Sequence, residues 1–141
     1  MQAVVIFESL TGNTAKAGRA IAADLSAQGL PTQAFPITQI DYQALSDADL
    51  VIVGSWVDGL ILVGQRPGRL GRIKGMPALA GKRAIVFLTY AIDPGHSLQK
   101  LSDAVAARGA EVLGGQLIRR DKLGAGVADF VERVLDVTAS T

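Results

Sequence analysis

Six residues near the amino terminus gather groups suited to holding an anion: Ser9-Leu10-Thr11-Gly12-Asn13-Thr14. They bring three hydroxyls, one carboxamide and one glycine. The glycine allows a tight turn at little steric cost. A helix starting here adds backbone N–H groups without intrahelical partners and the positive end of its dipole. Hydroxyls and N–H groups together make an anion site that needs no lysine, and a dianionic phosphate monoester suits it. Other phosphate loops fit worse. No G-x-x-x-x-G-K-[ST] is present, because Ala17 and then Gly18-Arg19 follow Gly12, and no G-x-G-x-x-G occurs. Nucleotide hydrolysis on a P-loop and dinucleotide binding of the usual kind are therefore disfavoured. The plainer reading is a polar turn with Thr11 or Asn13 capping a helix, but a cap needs one such residue rather than four.

The elements around this loop are legible from apolar patterning. Ala3–Phe7, Leu50–Gly54, Ala84–Leu88 and Val112–Ile118 are short runs rich in Val, Ile and Leu without polar alternation. Such runs read as strands covered on both faces of a parallel sheet. Thr32–Ile37 is a weaker strand, and Pro36 assigns it to an edge because proline cannot donate to a ladder. Helical patterns fill the gaps: Asn13–Gln28 stopped by Gly29, a short turn near Tyr42–Leu45, and His96–Arg108 stopped by Gly109. In the last segment Val127, Phe130, Val131, Val134, Leu135 and Thr138 fall on one helical stripe. The segment Leu60–Leu79 holds too many glycines and prolines for one long helix. Alternating strands and helices predict an α/β fold: a three-layer, doubly wound single domain over residues 1–141 with a five-stranded parallel sheet. The right-handed crossover rule leaves few topologies, and the strand order 2-1-3-4-5 is the expected one.

Ser9-Leu10-Thr11-Gly12-Asn13-Thr14 matches the pattern [ST]-x-T-G-x-T at every constrained position, directly after an N-terminal strand. In this the chain resembles the flavodoxin family, whose members are one-domain FMN proteins that shuttle electrons. The strand–helix rhythm extends the resemblance over nearly the whole chain. It implies that Ser9, Leu10, Thr11, Gly12, Asn13 and Thr14 hold the FMN phosphate. It also implies that the loops after strands three and four meet the flavin ring, since ligands of such sheets sit beyond the carboxyl ends of the strands. The first of these loops is Ser55, Trp56, Val57, Asp58 and Gly59, with the chain's one tryptophan; the second includes Thr89, Tyr90, Ala91, Asp93 and Gly95. Trp56 and Tyr90 are expected to flank the ring, with backbone groups bonding its polar edge. One departure is visible: the familiar pattern puts glycine right after the tryptophan, whereas Val57 and Asp58 intervene here before Gly59.

Other chemistry finds little support. The chain has no cysteine, which excludes disulfides, thiol catalysis and iron–sulfur clusters within it, so a redox role needs a bound cofactor. His96 is the only histidine and is expected on a helix surface; no metal-ligand spacing stands out. Gly95-His96-Ser97-Leu98-Gln99 begins like a nucleophile elbow but lacks its final glycine and a second histidine to act as base. No residue is expected to be catalytic. The net charge of +1 gives no argument for nucleic acid, but it is unevenly spread. Residues 1–54 carry a net −3, whereas residues 55–90 carry Arg66, Arg69, Arg72, Lys74, Lys82 and Arg83 against Asp58 alone, a net +5. Redox partner proteins, acidic ones docking near Arg66, Arg69, Arg72 and Lys74, are the expected partners. No basic region precedes Ala3–Phe7 and no run approaches the ~20 apolar residues of a membrane span, so the expected location is the cytoplasm. The expected function is an FMN-dependent electron carrier. The alternatives are a small FMN-dependent reductase or oxidase of the oxidoreductase class, acting on a quinone or porphyrin-type substrate, and a flavin-free binding module.

Overall fold

A computed structural model describes residues 1–10, 12–58 and 66–139. Five parallel strands form the sheet: β1 (Ala3–Phe7), β2 (Thr32–Pro36), β3 (Leu50–Asp58), β5 (Arg83–Tyr90) and β6 (Glu111–Arg119). A two-residue strand, β4 (Arg66–Pro67), pairs antiparallel with the end of β3. The spatial order is β2-β1-β3-β5-β6, which is 2-1-3-4-5 for the five parallel strands in chain order. The helices are α1 (Asn13–Ala27), α2 (Tyr42–Asp47), α3 (Leu70–Lys74), α4 (Ser97–Ala106) and α5 (Leu123–Ala139).

The pleat sends alternate side chains to opposite faces, and each face has its own core. Ala3, Val5, Phe7, Ile52, Ile85 and Phe87 pack with Ile21 and Leu25 of α1 and with Val127, Phe130, Val131 and Val134 of α5. Phe87 and Phe130 meet as a tilted aromatic pair with centroids 5.6 Å apart. On the other face Val4, Ile6, Val51, Val53, Val86 and Leu88 pack with Leu45 of α2, Ile73 of α3, and Leu101 and Val105 of α4. The predicted three layers are present, and the apolar stripe of α5 is the one that turns inward.

Three sequence expectations change. Strand three runs four residues past Gly54, because Ser55 and Trp56 pair with Leu88 and Thr89, and Val57 and Asp58 pair with Pro67 and Arg66. Likewise Thr89 and Tyr90 end β5 rather than begin a loop, since they pair with Ile118 and Arg119. Strand β6 is not covered on both faces. It is an edge strand on which only Ile118 is buried, and the ladder to β5 slips by one residue at Leu113, between Val112 and Gly114. Among the described residues of Leu60–Leu79 there is one short helix, ended at Gly75. Residues 59–65 lie outside the described residues. Pro36 does end an edge strand, as its missing donor requires.

Candidate functional site

A parallel sheet brings the segments following β1, β3 and β5 to one edge, and these hold the residues singled out in the sequence. The first of these segments makes the α1 start. Gly12 is the N-cap with φ 96°, a left-handed conformation in which a Cβ would be strained. With no side-chain oxygen of its own, Gly12 leaves capping to Ser9. The Ser9 hydroxyl oxygen accepts from the N–H of Gly12 at 3.2 Å and from the N–H of Ala15 at 3.3 Å. Asn13 is half-buried- and Leu10 stands out at 63% exposed. Thr11 lies outside the described residues. Thr14 is buried, and its hydroxyl lies 2.9 Å from that of Thr89 at the end of β5. One hydrogen bond thus ties the start of α1 to the second predicted ligand segment.

The β3 end is more enclosed than the sequence implies. Ser55 is fully buried and donates to the carbonyl of Gly68 at 2.8 Å. The N–H of Gly68 in turn donates to the carbonyl of Trp56 at 2.7 Å. Trp56 is only 7% exposed. The backbone of Gly68 lies against its indole so closely that a Cβ there would be 2.1 Å from ring atom Cε2. The Arg69 guanidinium covers the same ring at 5.5 Å from its centroid. Stacking a flat ligand on Trp56 therefore requires the Gly68–Arg69 turn to lift. Val57 is half-buried, Asp58 closes the strand, and Gly59 lies outside the described residues. Tyr90 is half-buried at the end of β5. The turn beyond it is exposed at Ala91, Ile92 and Asp93, and the Asp93 carboxylate accepts from the N–H of Gly95 at 2.9 Å. That bond, with Gly95 at φ 56°, gives the turn a defined shape.

Glu8 has no role in the sequence reading, yet it is 4% exposed and sits between β1 and Ser9. Arg69 donates to it at 2.9 Å and Arg72 at 3.2 Å, as a buried carboxylate requires. The signal was present in the sequence as a lone acid ending an apolar strand, answered by an arginine-rich segment 61 and 64 residues on. The basic segment is accordingly not all free surface. Arg69 and Arg72 hold Glu8, and Lys82 donates to the carbonyls of Ser46 and Ala48 at the end of α2. Lys74 is exposed, and His96 is exposed at the N-cap of α4.

A family model described as flavodoxin domain matches residues 4–115. The chain belongs to the flavodoxin family. The match spans β1, the Ser9–Thr14 loop and the segments following β3 and β5 in this flavodoxin-family chain. Among solved structures, it is similar to a cysteine-to-serine mutant of flavodoxin from Pseudomonas aeruginosa, with 17% identity over 99% of this chain and 97% of that one, and a TM-score of 0.72. It is also similar to a Streptococcus pneumoniae TIGR4 flavodoxin, with 21% identity, 94% and 96% coverage and a TM-score of 0.68. The rubredoxin oxygen:oxidoreductase of Desulfovibrio gigas matches over 99% of this chain but only 37% of its own, at 21% identity and a TM-score of 0.65. At such identities the likeness establishes the fold. A comparison with curated proteins finds no match. Among the described residues, no helix is long and apolar enough to cross a membrane.

Proposed function

We propose that this flavodoxin-family chain binds one FMN at the carboxyl edge of its sheet and serves as an electron carrier. The observation that carries the reading is the Ser9–Thr14 turn. A left-handed glycine opens α1, the Ser9 hydroxyl is fixed by two backbone N–H groups, and no cation stands within the turn. That donor set suits a phosphate monoester. Ser9, Thr11, Gly12, Asn13 and Thr14 hold the phosphate. Tyr90 flanks the ring, and Trp56 joins it once the Arg69 side chain swings off the indole while keeping its bond to Glu8. Backbone groups of Ser55–Gly59 and Thr89–Asp93 supply polar contacts to the ring edge. Bound FMN supplies one- and two-electron transfer, and no side chain in the site serves as general acid or base.

A redox partner approaches the same edge. Leu10 and Ile92, 63% and 77% exposed, are large apolar groups on the segments following β1 and β5. Partners are acidic and contact the basic run containing Arg66, Arg69, Arg72 and Lys74, whose side chains at 69 and 72 remain 40% and 49% exposed despite their bonds to Glu8. The cell location is the cytoplasm.

Titration of the purified chain with FMN tests the reading. FMN emission should be quenched and saturate at one equivalent, with tryptophan emission falling in parallel. Unchanged emission in both channels overturns it. Steady turnover of NAD(P)H with a quinone by the loaded chain alone would replace the carrier with a reductase.

A further inference from the structure

The Glu8 cluster adds net charge beside a loop that has no charged side chain of its own. Arg72 reaches both carboxylate oxygens, at 3.2 and 3.4 Å, and Arg69 reaches one at 2.9 Å. Arg69 is the only non-glycine residue with positive φ among the described residues, at 49°. A side chain with a Cβ rarely adopts that conformation, and the two contacts, to Glu8 and over Trp56, hold it there. One buried acid against two partly exposed bases leaves an excess of one positive charge. The acid stands immediately before Ser9, so the excess lies on the order of 10 Å from any group the loop binds. Lys16 and Arg19, further along α1, are exposed.

We propose that Glu8, Arg69 and Arg72 form a fixed electrostatic support for the phosphate end of the site and make the protein prefer a phosphorylated flavin to an unphosphorylated one. Glu8 orients the guanidiniums, and the guanidiniums supply the net charge. All three are positioning residues and need not touch the ligand. The proposal rests on the FMN reading and adds to it the selection between FMN and riboflavin. At such separations charges interact weakly through water and are screened by salt, so each unit of charge is expected to change the preference about threefold at low ionic strength.

The test is the ratio of riboflavin to FMN dissociation constants, measured by flavin fluorescence at about 10 mM and about 500 mM salt. Arg72→Gln should lower the preference for FMN about threefold at low salt, and Arg72→Lys should keep it. Glu8→Gln, nearly isosteric and still able to accept from arginine, should raise it about threefold. These changes should vanish at high salt. A purely structural role predicts a fall, or no change, in Glu8→Gln, and either result overturns the proposal. So does a ratio that moves equally at both salts. The ratio is insensitive to ring packing lost for both flavins alike, and circular dichroism reports whether each variant folds. A wild-type chain that binds neither flavin overturns the FMN reading and the support with it. One that binds FMN while all ratios stay level overturns the support alone.

Discussion

The hydroxyls of Thr14 and Thr89 lie 2.9 Å apart in a buried setting although 75 residues separate them. The bond fastens the first turn of α1 to the end of β5, and so joins the proposed phosphate segment to a proposed ring-side segment. Replacing Thr89 by Val removes one hydroxyl at nearly constant volume and leaves the other buried without its partner. Urea unfolding should show a loss of about 1–2 kcal/mol for Thr89→Val. The double variant Thr14→Val/Thr89→Val should lose less than the sum of the two singles, because no orphaned hydroxyl remains. Strict additivity would show that the bond contributes nothing.

Gly68→Ala should disturb Trp56. Its new methyl would fall 2.1 Å from the indole, so the ring or the turn must shift. The expected cost is about 1–3 kcal/mol of unfolding free energy, typical of overpacking. Because Trp56 is the only tryptophan, its emission reports the shift directly. A red-shifted spectrum with easier acrylamide quenching is expected. An unchanged spectrum would mean that Gly68 does not confine the ring.

Asp41→Ala should weaken the fold away from the site. Its carboxylate accepts from the N–H groups of Gln43 and Ala44 at 3.0 and 3.1 Å and caps α2. Losing the cap should cost about 1 kcal/mol by thermal or urea unfolding. Flavin affinity should be unchanged, and a change would connect α2 to the ligand edge.

Lys74 is an exposed cation of α3 that does not bond Glu8, and the proposed docking of acidic partners gives it a kinetic role. Oxidation of the reduced, FMN-loaded chain by ferricyanide, an anionic acceptor, should slow as salt rises. Lys74→Glu should slow it about twofold to fivefold at low salt and little at high salt. A rate that salt leaves alone would remove electrostatic steering from the account.

Much of the fold could be read from local pattern. Unbroken Val and Ile runs gave the buried strands, the 127–138 stripe gave the face of α5, and Pro36 marked an edge. The Ser9–Thr14 turn was legible because strand, glycine and hydroxyls are contiguous. What escaped the sequence depends on distant pairing. Ser55 through Asp58 are strand only because Leu88–Thr89 and Arg66–Pro67 lie beside them. Trp56 reads as a ligand-facing aromatic, yet Gly68 and Arg69, twelve and more residues on, cover it. Glu8 looks like a surface acid until two arginines more than sixty residues away are placed against it. Val112–Ile118 is apolar enough for a central strand, and only the sheet order makes it an edge.

The two outer strands also bear on how the protein behaves in a crowded solution. An exposed sheet edge offers a template for adding strands from other molecules. On β2 that template ends in a proline that has no N–H, and β6 carries a one-residue irregularity at Leu113, of the kind that bends a strand and twists its edge. Neither edge presents a straight, uninterrupted row of donors. The chain can therefore keep exposed apolar residues such as Leu10 and Ile92 on the segments following β1 and β5 with little risk of edge-to-edge polymerisation.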